Sequence, residues 1–145
     1  MKSGTQYRRN HESRHNKPRS FSACCRLCKT HRNGYIVNSL LVPLLDAATS
    51  LLVNDVADVE TIDKAWMVST GAPIGPFGIL DVVGITTAYN INSIKFEKTK
   101  SETAGKVVDF LKKNFIDQNK LGLSTSEGFY QYPNPAFKEA DFLKP

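Results

Sequence analysis

The sequence predicts an all-α helical bundle over residues 34–145, preceded by an irregular basic arm over residues 1–33. Three observations lead there. Apolar residues recur at helical spacing in several separate windows; glycine and proline clusters separate those windows; and no window alternates apolar and polar residues as a half-buried strand would. The boundary near Asn33 rests on composition. The arm holds nine Lys or Arg against one acid, Glu12, for a formal charge of +8, whereas the rest holds ten Lys and thirteen acids, for −3. All six Arg, all three His and all three Cys lie in the arm. Phe21, Leu27 and Tyr7 are its only large apolar or aromatic side chains, too few to offset the entropy of ordering its backbone.

The first helix is expected over Gly34–Asn54. Ile36, Leu40, Leu44, Ala48 and Leu51 form a stripe that Val37, Leu41, Leu45 and Leu52 widen, so this helix belongs in a core or an interface. Pro43 falls within it and removes a backbone donor, so a kink is expected. Asn38, Ser39, Asp46, Thr49 and Ser50 interrupt the stretch, which reads as too polar to span a bilayer. The second helix is expected from Asp58, an N-cap, to about Ser69, with Val59, Ile62, Ala65, Trp66 and Ser69 inward. Gly71 to Pro76 breaks the chain. Pro76 suits the first turn of a third helix, Pro76–Val83, ended by Gly84.

A fourth helix is expected from Ile85 to about Phe96. A fifth runs from Thr103 to Gln118, with Ala104, Val107, Val108, Leu111 and Phe115 inward and Lys112 and Lys113 toward its negative end. Leu121–Tyr132 is a glycine-punctuated aromatic segment, and Asn134–Pro145 a tail with at most one weak turn.

Three segments carry a family resemblance by their order and spacing. The first is Gly34-Tyr35-Ile36-Val37-Asn38-Ser39-Leu40-Leu41-Val42-Pro43. The second is Ala57-Asp58-Val59-Glu60-Thr61-Ile62-Asp63-Lys64-Ala65, followed by Gly71 through Gly84. The third is Lys120 through Tyr132. Together they resemble the C-terminal domain of NAD-dependent L-3-hydroxyacyl-CoA dehydrogenases, including the 3-hydroxybutyryl-CoA enzymes of fatty acid and butanoate metabolism. The resemblance implies a substrate-closing and dimerisation domain of an oxidoreductase acting on a 3-hydroxyl group.

Asn38 is the leading site residue. A carboxamide donates and accepts at once, so in an otherwise apolar helix it would cap or bond a loop, or it would orient a substrate. The resemblance implies the second, beside a His–Glu pair from another domain. Pro73, Gly75, Pro76 and Phe77 are substrate-pocket candidates, against the simpler reading of a tight inter-helix turn. Asp81 reads as a cap or a pairing partner within the bundle. Four positions depart from the family pattern: Ser39 stands where Arg is common, Ala72 where the residue is usually polar, Gly78 where Glu is usual, and Ser126 where Gly is usual.

The family binds NAD on a Rossmann domain through a Gly-x-Gly-x-x-Gly turn, and this sequence has no such turn. The expectation is therefore that this chain binds no cofactor by itself and is inactive alone. It would pair as a homodimer, meet a separate NAD-binding domain, and help enclose an acyl-CoA. The alternatives are a non-enzymatic helical dimerisation module and a truncated gene product.

The arm admits four accounts. The first is translation from another frame or a misplaced start. The second is zinc on Cys25, Cys28 and His31 with Cys24 or His15, but a second ligand pair is absent and no metal site is expected. The third is unspecific attraction to polyanions, without specific nucleic-acid recognition. The fourth is an organelle transit peptide, disfavoured because no amphipathic helix is evident. The body lacks cysteine, which suits a reducing, cytoplasmic setting.

Overall fold

In a computed structural model the described residues are 36–144. The arm, its cysteines and histidines, and the first residues expected in the opening helix lie outside that range. Asn38–Pro145 forms one compact unit. Five α-helices follow in order: α1 Ile36–Val53, α2 Val59–Thr70, α3 Pro76–Val83, α4 Ile85–Thr99 and α5 Glu102–Leu111. A π-helical turn, Lys112–Ile116, continues α5. Single 3₁₀ turns lie at Leu123–Thr125 and Ala136–Lys138. The described residues contain no strand, only isolated bridges from Gly122 to Glu127 and from Glu127 to Gln131.

The caps explain where α2 begins and ends. The Asp58 carboxylate accepts from the Thr61 amide at 2.7 Å, satisfying a donor the helix itself leaves free. Gly71, at φ 69°, turns left-handed and returns its N–H to the Met67 carbonyl at 2.9 Å, a closure that suits glycine. The fourth helix runs a turn further than Phe96 and closes on Lys100. In α5 and the turn that continues it, Ala104, Val107, Leu111 and Phe115 are buried as their spacing predicts, while Val108 is half-buried.

The inward face of α2 differs from expectation, while α1, expected in a core or an interface, packs on one side. On α1 the buried residues are Leu45, Ala48 and Thr49, while Leu40 is 72% exposed. This helix is apolar around much of its girth, and the bundle meets only one side of it. On α2 the buried residues are Ile62, Asp63 and Met67; Ala65 and Ser69 are exposed. The face is turned because a carboxylate, not a hydrocarbon, anchors it. By length and composition α1 also satisfies the requirement for a membrane span, contrary to the sequence estimate. In this fold, however, Leu45, Ala48 and Thr49 are packed into the bundle. Asp46 pairs with Lys95 of α4 at 2.6 Å.

Asp63 and Asp81 are the two buried acids, at 0% and 1% exposure. Asp63 Oδ1 accepts from the Phe77 amide at 2.9 Å, and Oδ2 from the Gly78 amide at 3.1 Å and the Tyr130 hydroxyl at 3.0 Å. It thereby caps the start of α3 from a neighbouring helix, where orphan amides and the helix dipole favour a negative group. Asp81 repeats the arrangement at the other end of α3. Its Oδ1 accepts from the Phe129 amide at 2.8 Å, and its Oδ2 from the Tyr130 amide at 2.9 Å and the Tyr132 hydroxyl at 3.1 Å. Gly75 and Gly128 permit the approach: a Cβ on either would fall 2.2 Å from Asp63 Cγ or 2.1 Å from Asp81 Oδ1.

Around this frame lies an aromatic core. Phe129 stacks between Phe77 and Phe115, with ring centres 4.7 and 4.4 Å away. The C-terminal tail joins it. Phe137 and Phe142 are buried and meet the Tyr130 ring edge-on, at 5.1 and 6.4 Å. The sequence reading gave this tail no core role.

Burial raises both aspartates above the ordinary 3.8, although three donors on each pull the other way, and Asp63 raises Asp81 further. Burial and the neighbouring carboxylates raise Tyr130 and Tyr132, which stay protonated donors. As pH rises through 3.8, the unfolded chain releases these protons before the native state does, so the two groups' contribution falls with pH across that window. We expect the urea midpoint of Asp81→Asn, taken relative to that of the parent at the same pH, to rise with pH across it. That variant should also be about 2 kcal/mol less stable, because its amide sets a donor against a donor.

A second expectation concerns Ser126, which holds φ 61° where the resembled family usually has Gly. A side chain in that region is strained. Ser126→Gly should stabilise the domain by about 1 kcal/mol in the same urea titration.

Candidate functional site

Asn38 lies near the start of α1, exposed, and its carboxamide makes no hydrogen bond among the described residues. It lines a cleft of about 160 Å³ between α1, the end of α3 and α4. Leu41, Leu45, Leu80, Val83 and Ile91 supply most of the wall, and Thr87, Asp46 and Asn92 add polar groups. An apolar cleft with a few directed polar groups is the usual form of a small-molecule site. A carboxamide at its edge can both donate and accept, and so can bond a substrate oxygen.

Helix register positions the lining. Asn38, Leu41, Leu45 and Thr49 succeed one another at intervals of three or four along one face of α1. On α4, Ile85, Ala88 and Asn92 form the buried face. Asn92 thus occupies a place that periodicity reserves for an apolar residue. Sequence reasoning passed over it, yet a carboxamide in an inward stripe was a signal it could have used. Thr49 satisfies itself by donating to the Leu45 carbonyl at 2.9 Å. The Asp46–Lys95 pair is partly exposed and contributes little stability by itself. It links α1 to α4 at the far end of the cleft.

The pocket candidates from the glycine–proline segment are placed elsewhere. Gly75, Pro76 and Phe77 are buried, Phe77 completely, and Pro73 is exposed. None of the four lines the cleft of Asn38. Pro76 borders a separate apolar hollow of about 440 Å³ between α1 and α2. The segment builds the capped start of α3, which is the turn reading. Asp81 is a pairing residue, as read, with partners in the aromatic segment.

A family model described as the C-terminal domain of 3-hydroxyacyl-CoA dehydrogenase matches residues 34–132. This chain belongs to that family. The 3-hydroxybutyryl-CoA dehydrogenase of Mycobacterium tuberculosis is 35% identical over 101 residues, covering 70% of this chain and 35% of that protein. Human mitochondrial hydroxyacyl-coenzyme A dehydrogenase is 39% identical over 99 residues, 68% of this chain and 31% of that one. Among solved structures, a diketoreductase with dual catalysis of dicarbonyl compounds superposes with a TM-score of 0.63 at 56% identity. It covers 72% of this chain and 35% of its own. The chain spans about a third of the length of these relatives.

The family's departures now have places. Ser39 is exposed on α1 and Ala72 half-buried in the turn after α2. At Gly78, an added Cβ would meet the Ile74 side chain at 2.7 Å and the Phe137 ring at 3.1 Å. The tail ring occupies space that a larger residue would need. A Rossmann dinucleotide site is built from a strand, a glycine turn and a helix in sequence, and the described residues hold no strand.

Proposed function

We propose that this chain supplies the substrate-closing and dimerising half of an NAD-dependent dehydrogenase acting on 3-hydroxyacyl thioesters. The observation that carries the reading is Asn38, exposed at the edge of an apolar cleft and without a hydrogen-bond partner among the described residues. On this reading the cleft takes the acyl chain, and the Asn38 carboxamide bonds the oxygen on the reacting carbon. That bond strengthens as charge develops on the oxygen, which is where such a donor accelerates a reaction. A separate NAD-binding domain supplies the cofactor and the His–Glu pair. The cysteine-free body favours a reducing, cytoplasmic setting.

The similarity to a diketoreductase bears on the substrate class. A 3-ketoacyl thioester is itself a compound with two carbonyl groups separated by one carbon. Both kinds of relative therefore point to a reacting carbonyl beside a second one.

The hollow between α1 and α2 supports the dimer half of the proposal. Leu44, Ala47, Leu51, Ala65 and Trp66 line it almost without polar atoms, and Leu51 is 41% exposed. Apolar surface of this kind is stable in water when another surface covers it.

Two outcomes are expected. The purified chain should not reduce NAD with 3-hydroxybutyryl-CoA, and adding the separately expressed NAD-binding domain of the human relative should produce activity. Asn38→Ala should lower that activity by about a hundredfold. Turnover by the chain alone, or an unaffected variant, contradicts the assignment. For the dimer, sedimentation should give a two-chain species that Ala65→Glu converts to monomer, since a carboxylate cannot be buried there unpaired. A parent chain that sediments as a monomer at high concentration refutes the interface.

A further inference from the structure

Asp46 pairs with Lys95 where two hollows meet. On one side is the apolar cleft of Asn38, about 160 Å³; on the other is a polar hollow of about 320 Å³, lined by Ser50, Asn54, Ser101 and Thr103. Asp46 on α1 and Asn92 on α4 line both, while Lys95 lines only the polar one. The Lys95 ammonium donates to Asp46 Oδ2 at 2.6 Å, across the groove between the two helices. Among the described residues it is the sole side-chain hydrogen bond from α1 to another element. A charged pair therefore spans the groove at the place where apolar lining gives way to polar.

The pair need not be strong to matter. A hydrocarbon chain entering at Asn38 gains by each methylene it buries against Leu41, Leu45 and Ile91. Beyond them it meets a carboxylate 24% exposed and an ammonium 44% exposed, and covering either strips water from a charge. The gain from burial ends there. Asn38 and Asp46 stand eight residues apart on α1, roughly 12 Å along the helix. A hydrogen bond at one end takes roughly 3 Å and a van der Waals contact at the other roughly 4 Å. About 5 Å remains, roughly four bonds of an extended chain at about 1.2 Å each. The volume agrees: at roughly 30 Å³ for a group the size of a water molecule, the cleft of about 160 Å³ holds roughly five heavy atoms.

We propose that the Asp46–Lys95 pair is the end stop of the cleft, a specificity-determining element that limits the substrate to straight acyl chains reaching about five carbons beyond the reacting one. This rests on the reading of the cleft as the acyl site. Without the pair, the passage continues into the second hollow, where Ala104 and Val107 offer apolar surface to a longer chain.

The test uses the full chain, isotope-labelled, with the side-chain amide of Asn38 assigned from Asn38→Ala and the backbone amide of Thr103 assigned as a reporter of the polar hollow. The probes are N-acetylcysteamine thioesters of the straight 3-oxobutanoic, 3-oxohexanoic, 3-oxooctanoic, 3-oxodecanoic and 3-oxododecanoic acids. All should shift the Asn38 amide. Affinity should rise about fourfold per methylene as far as the 3-oxooctanoyl probe and then level off, with Thr103 unmoved throughout. In Asp46→Ala/Lys95→Ala the rise should continue to the longest probe, which should then shift Thr103. Lys95→Arg, which keeps the pair, should keep the parent's break. If parent affinity climbs without a break, or the double variant breaks where the parent does, the stop is refuted while the acyl-site reading stands. If no probe moves Asn38, the acyl-site reading fails and the stop with it. Should the double variant not fold, the parent's own series still decides.

Discussion

Asp63 and Asp81 set the condition that the rest of the domain must meet. Each is a carboxylate taken almost completely out of water, at a desolvation cost of several kcal/mol unless its oxygens are bonded. Each is given three donors, two of them backbone amides. Those amides belong to segments far away in sequence, so satisfying the charges fixes tertiary structure. Asp63 holds α2 against the start of α3, and Asp81 holds the end of α3 against the aromatic segment. Tyr130 belongs to both arrangements, giving its hydroxyl to Asp63 and its amide to Asp81. Removing either acid leaves buried donors unpaired at two places at once, and apolar substitution cannot replace that coupling.

Fixing α3 in this way leaves α1 as the exposed helix. One of its sides meets the bundle, one forms the wall of the Asn38 cleft, and one faces the hollow beside α2. A helix apolar on so much of its girth would be a liability in an isolated domain. It makes sense where two further surfaces cover it. The cleft and the hollow lie on different faces of the same helix. A substrate-bearing domain and a second copy of this chain would therefore not compete for one surface, and a substitution on either face can be judged by its own readout.

Local chemistry was readable in the sequence because it depends on near neighbours. Asp58 caps, Gly71 closes, Pro76 opens α3 and Gly84 ends it, as their residue types require. What failed depends on distant partners. Pattern reading sends Asp63 outward because it is charged, and only the amides of Phe77 and Gly78, fourteen and fifteen residues on, bring it in. The same logic misplaced the face of α2, and left Phe137 and Phe142 in a tail. Leu40 and Ile36 lie in a stripe read as facing a core or an interface, and among the described residues they stay exposed. Within the site, Asn38 was found through resemblance, whereas Asn92 was detectable from helical spacing and was missed.

The segments that identify the family include Asn38, Leu41, Leu80 and Val83 of the cleft wall, but many of their residues serve the buried carboxylates instead. Gly75, Phe77, Asp81, Gly128 and Tyr130 carry much of the recognisable pattern, and all of them serve the buried carboxylates. Their presence is strong evidence for the fold, because few sequences could satisfy two buried acids in the same way. It says much less about chemistry. The cleft is walled by Leu41, Leu45, Val83 and Ile91, residue types that many helices share, and only a few polar groups give it character. Family membership therefore fixes the architecture that presents Asn38, while Leu45, Ile91 and Asn92 line the same cleft from outside the three motif segments.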